Sequence, residues 1–161
     1  LEASPTSRAS ILTGKALVAY IMQTVQITVV LVLGAAIFGY RPKGSLLALM
    51  AVLLSFSAVL SALGVAIALW SHSRDAALSM SNIVGMLAAG IGGAFCTVSS
   101  FPDWAQHAAR LSPAYWANAA INKVSLDGLG FADIAPQIGA LLGFFAAFAA
   151  LALIKFRYHK E

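Results

Sequence analysis

The stretch that decides the fold runs from Ala16 to Phe38 and reads ALVAYIMQTVQITVVLVLGAAIF, without one charged side chain. An α-helix rises about 1.5 Å per residue, so a run of this length crosses the roughly 30 Å of hydrocarbon in a bilayer. The run Val29-Val30-Leu31-Val32-Leu33 does not alternate between apolar and polar residues, as a strand of a membrane barrel does. The stretch therefore predicts a transmembrane helix.

The composition of the whole chain agrees with this prediction. Of its 161 residues, 60% are hydrophobic and 10% are charged, and the mean hydropathy is +0.86. A soluble domain carries about 25% charged residues, which it needs to cover its outer surface. The composition therefore excludes an ordinary cytosolic enzyme and indicates an integral membrane protein.

The charged residues are clustered, and the gaps between the clusters predict the other spans. No charge lies between Lys15 and Arg41, between Lys43 and Arg74, between Asp75 and Asp103, or between Asp133 and Lys155. These windows predict an all-α polytopic integral membrane protein with four transmembrane helices, at residues 16–38, 45–70, 76–98 and 136–154.

The basic residues in the short loops predict the orientation of these spans. With four spans, one side carries Arg8, Lys15, Arg74, Lys155, Arg157 and Lys160, and the other carries Arg41, Lys43, Arg110 and Lys123. Basic residues favour the cytoplasmic side, so we expect both ends of the chain to be cytoplasmic, in a plasma or inner membrane. Basic flanks of membrane helices account for the net charge of +4 without a nucleic-acid partner.

The connection at residues 99–135 is much longer than the other two. It contains Phe101-Pro102-Asp103-Trp104 and Ser112-Pro113-Ala114-Tyr115-Trp116. Serine is a good N-cap and proline is favoured in the first helical turn, so each unit predicts the start of a short helix. We expect a pair of short amphipathic or re-entrant helices on the outer side.

The chain lacks the usual signatures of a catalytic or metal site. Thr13-Gly14-Lys15-Ala16 has neither the upstream glycine nor the following hydroxyl of a phosphate loop, and Cys96 is the single cysteine. His72, His107 and His159 are too far apart in sequence for a metal-binding helix motif. All carboxylates lie outside the predicted spans, which argues against a membrane enzyme and a proton-coupled carrier.

Uncharged polar and small residues occur within the spans, and two interpretations remain open for them. Amides in hydrocarbon need a polar partner, so Gln23 and Gln26 on the first span either line a substrate path or only pack against other helices. The same two interpretations apply to Asn82 and Met86, which share a face of the third span. Small residues that share a face predict close helix packing, and these are Ser57, Ser61 and Gly64 on the second span and Gly139 and Gly143 on the fourth.

The order of these motifs resembles a known family. A Ser-Pro-x-Ser-Arg stretch (Ser4 to Arg8) and Gly14-Lys15 precede a long apolar span. A Pro-x-Trp unit, a Ser-Pro-x-Tyr-Trp unit, Asp127-Gly128 and a last span with a basic tail follow. Across essentially the whole chain, this order is similar to that of the C-terminal portion of an ABC-2-type transporter permease.

The resemblance implies positions for the functional parts. The four windows match spans three to six of such a permease, so we expect a longer protein that begins before Leu1. Residues 1–15 match the end of a cytoplasmic coupling segment, and residues 16–161 match the transmembrane domain. The implied contacts with an ATPase are Glu2, Ser4, Pro5, Ser7 and Arg8. The implied outer gate comprises Pro102, Trp104, Pro113, Tyr115 and Trp116.

The resemblance also implies the function and the partners. With a second, identical or different permease subunit, the chain would form the outward path of an ATP-driven exporter for a hydrophobic or amphipathic substrate, such as a drug or a lipid-like compound. A separate ATPase subunit would bind ATP and magnesium, and this chain would bind no cofactor. The alternative is a membrane scaffold or assembly subunit without transport activity, since apolar helices serve both roles.

Overall fold

The computed structural model describes residues 8–39, 42–95 and 97–158, which form helices joined by turns. The α-helices are α1 (Arg8–Phe38), α2 (Leu46–Trp70), α3 (Arg74–Ile91), α4 (Asp103–Ala109), α5 (Pro113–Ser125) and α6 (Ala135–Tyr158). Short 3₁₀ turns at Val98–Ser100 and Ala132–Ile134 precede α4 and α6. The all-helical fold class is confirmed, and the segment 99–135 contains the expected pair of short helices.

Three helices in the described residues are long and apolar enough to cross a membrane. They span Ser10–Phe38, Leu46–Trp70 and Ala132–Phe156, and they correspond to the first, second and fourth predicted spans. Ser45 begins α2 as an N-cap whose side chain accepts a hydrogen bond from Ala48 N. The protein is therefore a polytopic membrane protein.

The third predicted span, residues 76–98, is shorter in the structure. Helix α3 has 18 residues, ends at Ile91 and is not among the three long apolar helices. A Schellman motif ends it: Ala94 N donates to Ala89 O (2.9 Å) and Gly93 N donates to Gly90 O (3.3 Å), while Gly93 has a φ of 85°. Gly92 and Gly93 therefore terminate the helix, so the four expected spans become three long helices and the shorter α3.

Helices α2, α5 and α6 enclose the core. Its buried members are Ala48, Leu49, Val52 and Val59 from α2, Ala117, Ala120 and Val124 from α5, and Ile134 and Leu141 around the start of α6. Helix α3 contributes no buried residue, and none of the apolar window of α1 is buried. Both α1 and α3 pack against the outside of α2.

The two ends of the bundle can be distinguished by their contacts. Ala16 of α1 accepts a hydrogen bond from the Ser61 hydroxyl (3.0 Å), and Leu151 O of α6 lies 3.5 Å from Trp70 Nε1. The beginning of α1 and the ends of α2 and α6 therefore lie at one end of the bundle, as the sequence predicted.

Helix α5 ends at the opposite end, beside the turn between α1 and α2. Lys43 N donates to Ser125 O (3.2 Å). A Cβ built at Gly44 would lie against Val124 O and 2.7 Å from Leu129 O. Only glycine permits this approach, so Gly44 holds the start of α2 against the end of α5.

Replacing Gly44 by Ala should therefore destabilise the bundle by about 1–3 kcal/mol, the usual cost of overpacking. The measurement is the temperature at which the purified full-length protein loses its monodisperse state in detergent. Gly34→Ala is the matched control, because a Cβ at Gly34 meets no atom within 4 Å. Equal melting temperatures for the two variants would contradict the close approach at Gly44.

Candidate functional site: the junction of α3, α4 and α5

Ser112 joins the start of α5 to the last turns of α3. Its side-chain oxygen accepts a hydrogen bond from Ala114 N (3.3 Å), as expected of an N-cap followed by proline at the first helical position. The same hydroxyl donates to Ala88 O (2.7 Å). A carbonyl oxygen accepts two hydrogen bonds, and Ala88 O also accepts from Gly92 N within α3. One buried serine therefore caps α5 and fixes it to α3.

A second pair of contacts lies one turn further along α5. Asn118 Nδ2 donates to Gly92 O (3.1 Å). A Cβ built at Gly92 would lie 2.6 Å from Ala114 Cβ and 2.8 Å from Tyr115 N. The backbones of α3 and α5 therefore touch, and glycine at position 92 is what lets them do so.

This junction lies beside the middle of α2. Helix α5 has 13 residues, so its first turn lies about 20 Å from Ser125, which is held at the α1–α2 turn. Ala88 and Ser112 line the same cavity as Leu63 in the second half of α2. The 25 residues of α2 span about 38 Å. Helices α3 and α5 therefore run end to end along α2, each covering about half of it.

Helix α4 leads into this junction and carries a polar face. Asp103, His107 and Arg110 recur at the spacing of one helical face, and all three side chains are exposed. Arg110 follows α4 directly and comes two residues before Ser112, so its backbone lies close to the junction. Its carbonyl accepts a hydrogen bond from Trp116 Nε1 (2.9 Å). Two hydrogen bonds therefore hold the connection from α4 to α5: Ser112 donates to Ala88 O of α3, and Trp116 Nε1 donates to Arg110 O.

The residues expected to form an outer gate all belong to α4, α5 or their caps. Pro102 precedes α4 and Trp104 lies in its first turn, where the indole is 75% exposed. Pro113, Tyr115 and Trp116 form the first turn of α5, and the Tyr115 and Trp116 rings meet edge to face with centroids 5.4 Å apart. The structure therefore brings the two sequence units together as neighbouring helices.

The four residues expected to line a path do not meet within the described chain. Gln23 and Gln26 lie on α1, and Asn82 and Met86 lie on α3; Gln23 is half-buried and the others are exposed. Helix α6 lies between α1 and α3, since it lines one cavity with α1 and α2 and another with α2 and α3. None of the four residues lines either cavity.

The residues expected to pack helices behave differently from one another. The Ser61 hydroxyl contacts α1, as described above. Ser57 is fully buried, and its hydroxyl has no hydrogen-bond partner in the described part of the chain. Gly64, Gly139 and Gly143 are exposed, and a Cβ at any of them would meet no atom within 4 Å. These glycines therefore do not serve close packing between the described helices.

The coupling segment falls largely outside the described residues. Glu2, Ser4, Pro5 and Ser7 lie outside them, and so does the side chain of Arg8. Helix α1 begins at Arg8, eight residues before the predicted start of the span. The last residues of the predicted coupling segment, up to Lys15, are therefore part of α1.

No cluster of three or more side chains suited to a metal occurs among the described residues.

Asp103, His107 and Arg110 were not grouped in the sequence analysis, although their spacing of four and three residues predicts that they share one face of a helix. Arg110 was assigned to the outer side because it lies in the connection between the third and fourth predicted spans. In the structure it follows α4 directly, two residues before Ser112.

The fold and this junction define a polytopic membrane protein in which two half-length helices meet within the bundle. Residues 2–154 match the family described as ABC-2 family transporter protein, and the chain therefore belongs to that family. No curated protein and no solved structure matches it. The resemblance found in the sequence is confirmed: the chain is a membrane-embedded permease component of a kind that works with an ATPase subunit.

Ser112→Ala removes the N-cap of α5 and its bond to α3 together. We expect a loss of about 1–3 kcal/mol of stability, because both contacts are in the bundle interior. Thermal denaturation in detergent would measure it, and Ser112→Thr, which keeps the hydroxyl, should recover most of the loss. A wild-type melting temperature for Ser112→Ala would show that the hydroxyl does not hold the junction.

Proposed function

We propose that this chain is the transmembrane part of an ATP-driven ABC exporter subunit, which forms the outward path for a hydrophobic or amphipathic substrate together with a second permease subunit. Membership of the ABC-2 transporter family supports a permease role. The observation that carries the proposal further is the polar face of α4, which ends at Arg110, two residues before the junction with α3.

A cation at this depth needs a polar environment. Placing an arginine at the centre of a bilayer costs about 3 kcal/mol or more unless it meets water or a partner. Helix α4 presents Asp103, His107 and Arg110 on its exposed side, so this face would border a water-accessible path from the outside to the junction. A subunit that only packs against other proteins has no use for such a face, which favours transport over the scaffold alternative.

Accessibility to a membrane-impermeant maleimide added from the outer side tests this path. With Cys96 replaced by serine, Arg110→Cys should react several times faster than Ala147→Cys, which lies near the middle of α6 with its side chain exposed. The serine variant without an added cysteine gives the background. Equally slow labelling at both positions would contradict a water-accessible path along α4.

The proposed mechanism couples this path to a separate ATPase. We propose that closure of the ATPase subunits pushes on Glu2 to Arg8 from the cytoplasm and that α1 transmits this movement. The length of α1 supports this proposal, because the helix begins at Arg8 and extends without a break to Phe38. ATP and magnesium would be bound by the partner, in a plasma or inner membrane with both ends of this chain cytoplasmic.

Affinity purification of the full-length protein from its own membranes in mild detergent should recover a phosphate-loop ATPase in near-equal amount. Its repeated absence would favour the scaffold function.

Replacing residues 4–8 by a Gly-Ser sequence should abolish ATP-driven export while leaving the yield and melting temperature of the protein unchanged. Normal export by that variant would refute the coupling role of this segment.

A further inference from the structure

An apolar groove runs between α2, α3 and α6. It comprises two cavities of about 360 Å³ and about 390 Å³. Leu63 of α2 and Phe148 of α6 line both, so the two cavities lie next to each other along the same face of α2 and α6. Apart from Ser71 and Ser112 near its two ends, every lining side chain is apolar or aromatic. The groove is therefore suited to hydrocarbon.

The length of the groove matches one leaflet of a bilayer. Along α3 it extends from Met80 to Ile91, about 16 Å at about 1.5 Å per residue. The hydrocarbon core of a bilayer is about 30 Å thick, so each leaflet contributes about 15 Å. The groove begins at Trp70 and Ser71, at the end of α2, and its other end is lined by Leu111, Ser112 and Pro113.

The open end carries positive charge and an interfacial aromatic ring. Lys155 Nζ lies 5.0 Å from the centre of the Trp70 ring, within the range of a cation–π interaction. Tryptophan and lysine are typical of the membrane–water interface. Of the charged side chains described at this end of the bundle, Lys15, Arg74 and Lys155 are basic and Asp75 is acidic. The net charge is therefore complementary to an anionic headgroup.

We propose that this groove binds one anionic phospholipid from the leaflet at the Trp70 end, with an acyl chain between α3 and α6 and the headgroup at Lys155. The limited length of the groove argues for this occupant over a helix of another protein, because a spanning helix, about 10 Å wide, needs a groove that continues through both leaflets. The proposal involves neither ATP nor a transported substrate, so it does not depend on the proposed function.

Quenching of Trp70 fluorescence by lipids with brominated acyl chains tests this proposal. The full-length protein is placed in phosphatidylcholine vesicles that contain increasing fractions of brominated phosphatidylglycerol or brominated phosphatidylcholine, and the signal of a Trp70→Phe variant is subtracted. We expect phosphatidylglycerol to bind about fivefold more tightly, the effect of one lysine close to an anionic lipid. Equal quenching by the two lipids would overturn the proposal.

Two kinds of variant separate the headgroup from the acyl chain. Lys155→Gln should abolish the preference for phosphatidylglycerol over phosphatidylcholine and leave quenching by phosphatidylcholine unchanged. If the preference is retained, Lys155 does not bind the headgroup. Val84→Phe fills the groove and should weaken quenching by both lipids. Ile83→Phe is the control, because Ile83 is 56% exposed and does not line the groove.

The remaining outcomes also decide the proposal. If Val84→Phe leaves quenching at the wild-type level, no acyl chain occupies the groove. If Trp70 is protected from both brominated lipids in the wild-type protein, another protein segment or a second copy of the chain covers the groove, and the proposal fails. Should Val84→Phe not fold, the comparison of Lys155→Gln with wild type still tests the headgroup.

Discussion

A helix that ends inside a membrane bundle leaves backbone carbonyl groups that need partners, and the end of α3 meets this requirement with side chains of α5. In hydrocarbon an unpaired carbonyl costs several kcal/mol. The Schellman motif satisfies Ala89 and Gly90, the Asn118 amide satisfies Gly92, and the Ser112 hydroxyl adds a bond at Ala88. These bonds fix where α5 begins. The position of α5 in turn determines the core that it forms with α2 and α6.

The sequence predicted the long helices well because their signal is local. A charge-free window of sufficient length is enough to identify α1, α2 and α6, and Ser112-Pro113 was enough to identify the start of α5. The end of α3 was not predicted, since Gly90 to Gly93 are compatible with a bend, a kink or a helix terminus. What decides among these is contact with Ala114 and Tyr115, more than twenty residues further along the chain.

Small residues were the least reliable guide to the site. Gly139 and Gly143 have the spacing of a helix-packing motif, yet both are exposed in the described chain, whereas Gly44 and Gly92, which belong to no such motif, make the closest backbone contacts. Spacing identifies a face of a helix, and it cannot identify what lies against that face. The Thr24 and Thr28 hydroxyls, also within the first predicted span, donate to carbonyls one turn earlier in α1, so they are satisfied within their own helix.

The peripheral position of α1 has an energetic consequence. Side chains of α1 gain little from contact with α2 over contact with lipid, since the lipid tails are equally apolar. The side-chain hydrogen bond from Ser61 to Ala16 O crosses this contact, and such a bond contributes about 1 kcal/mol. The core of α2, α5 and α6 contains no residue of α1. The packing of the core therefore does not depend on any described side chain of α1, although α1 lies along the outside of α2.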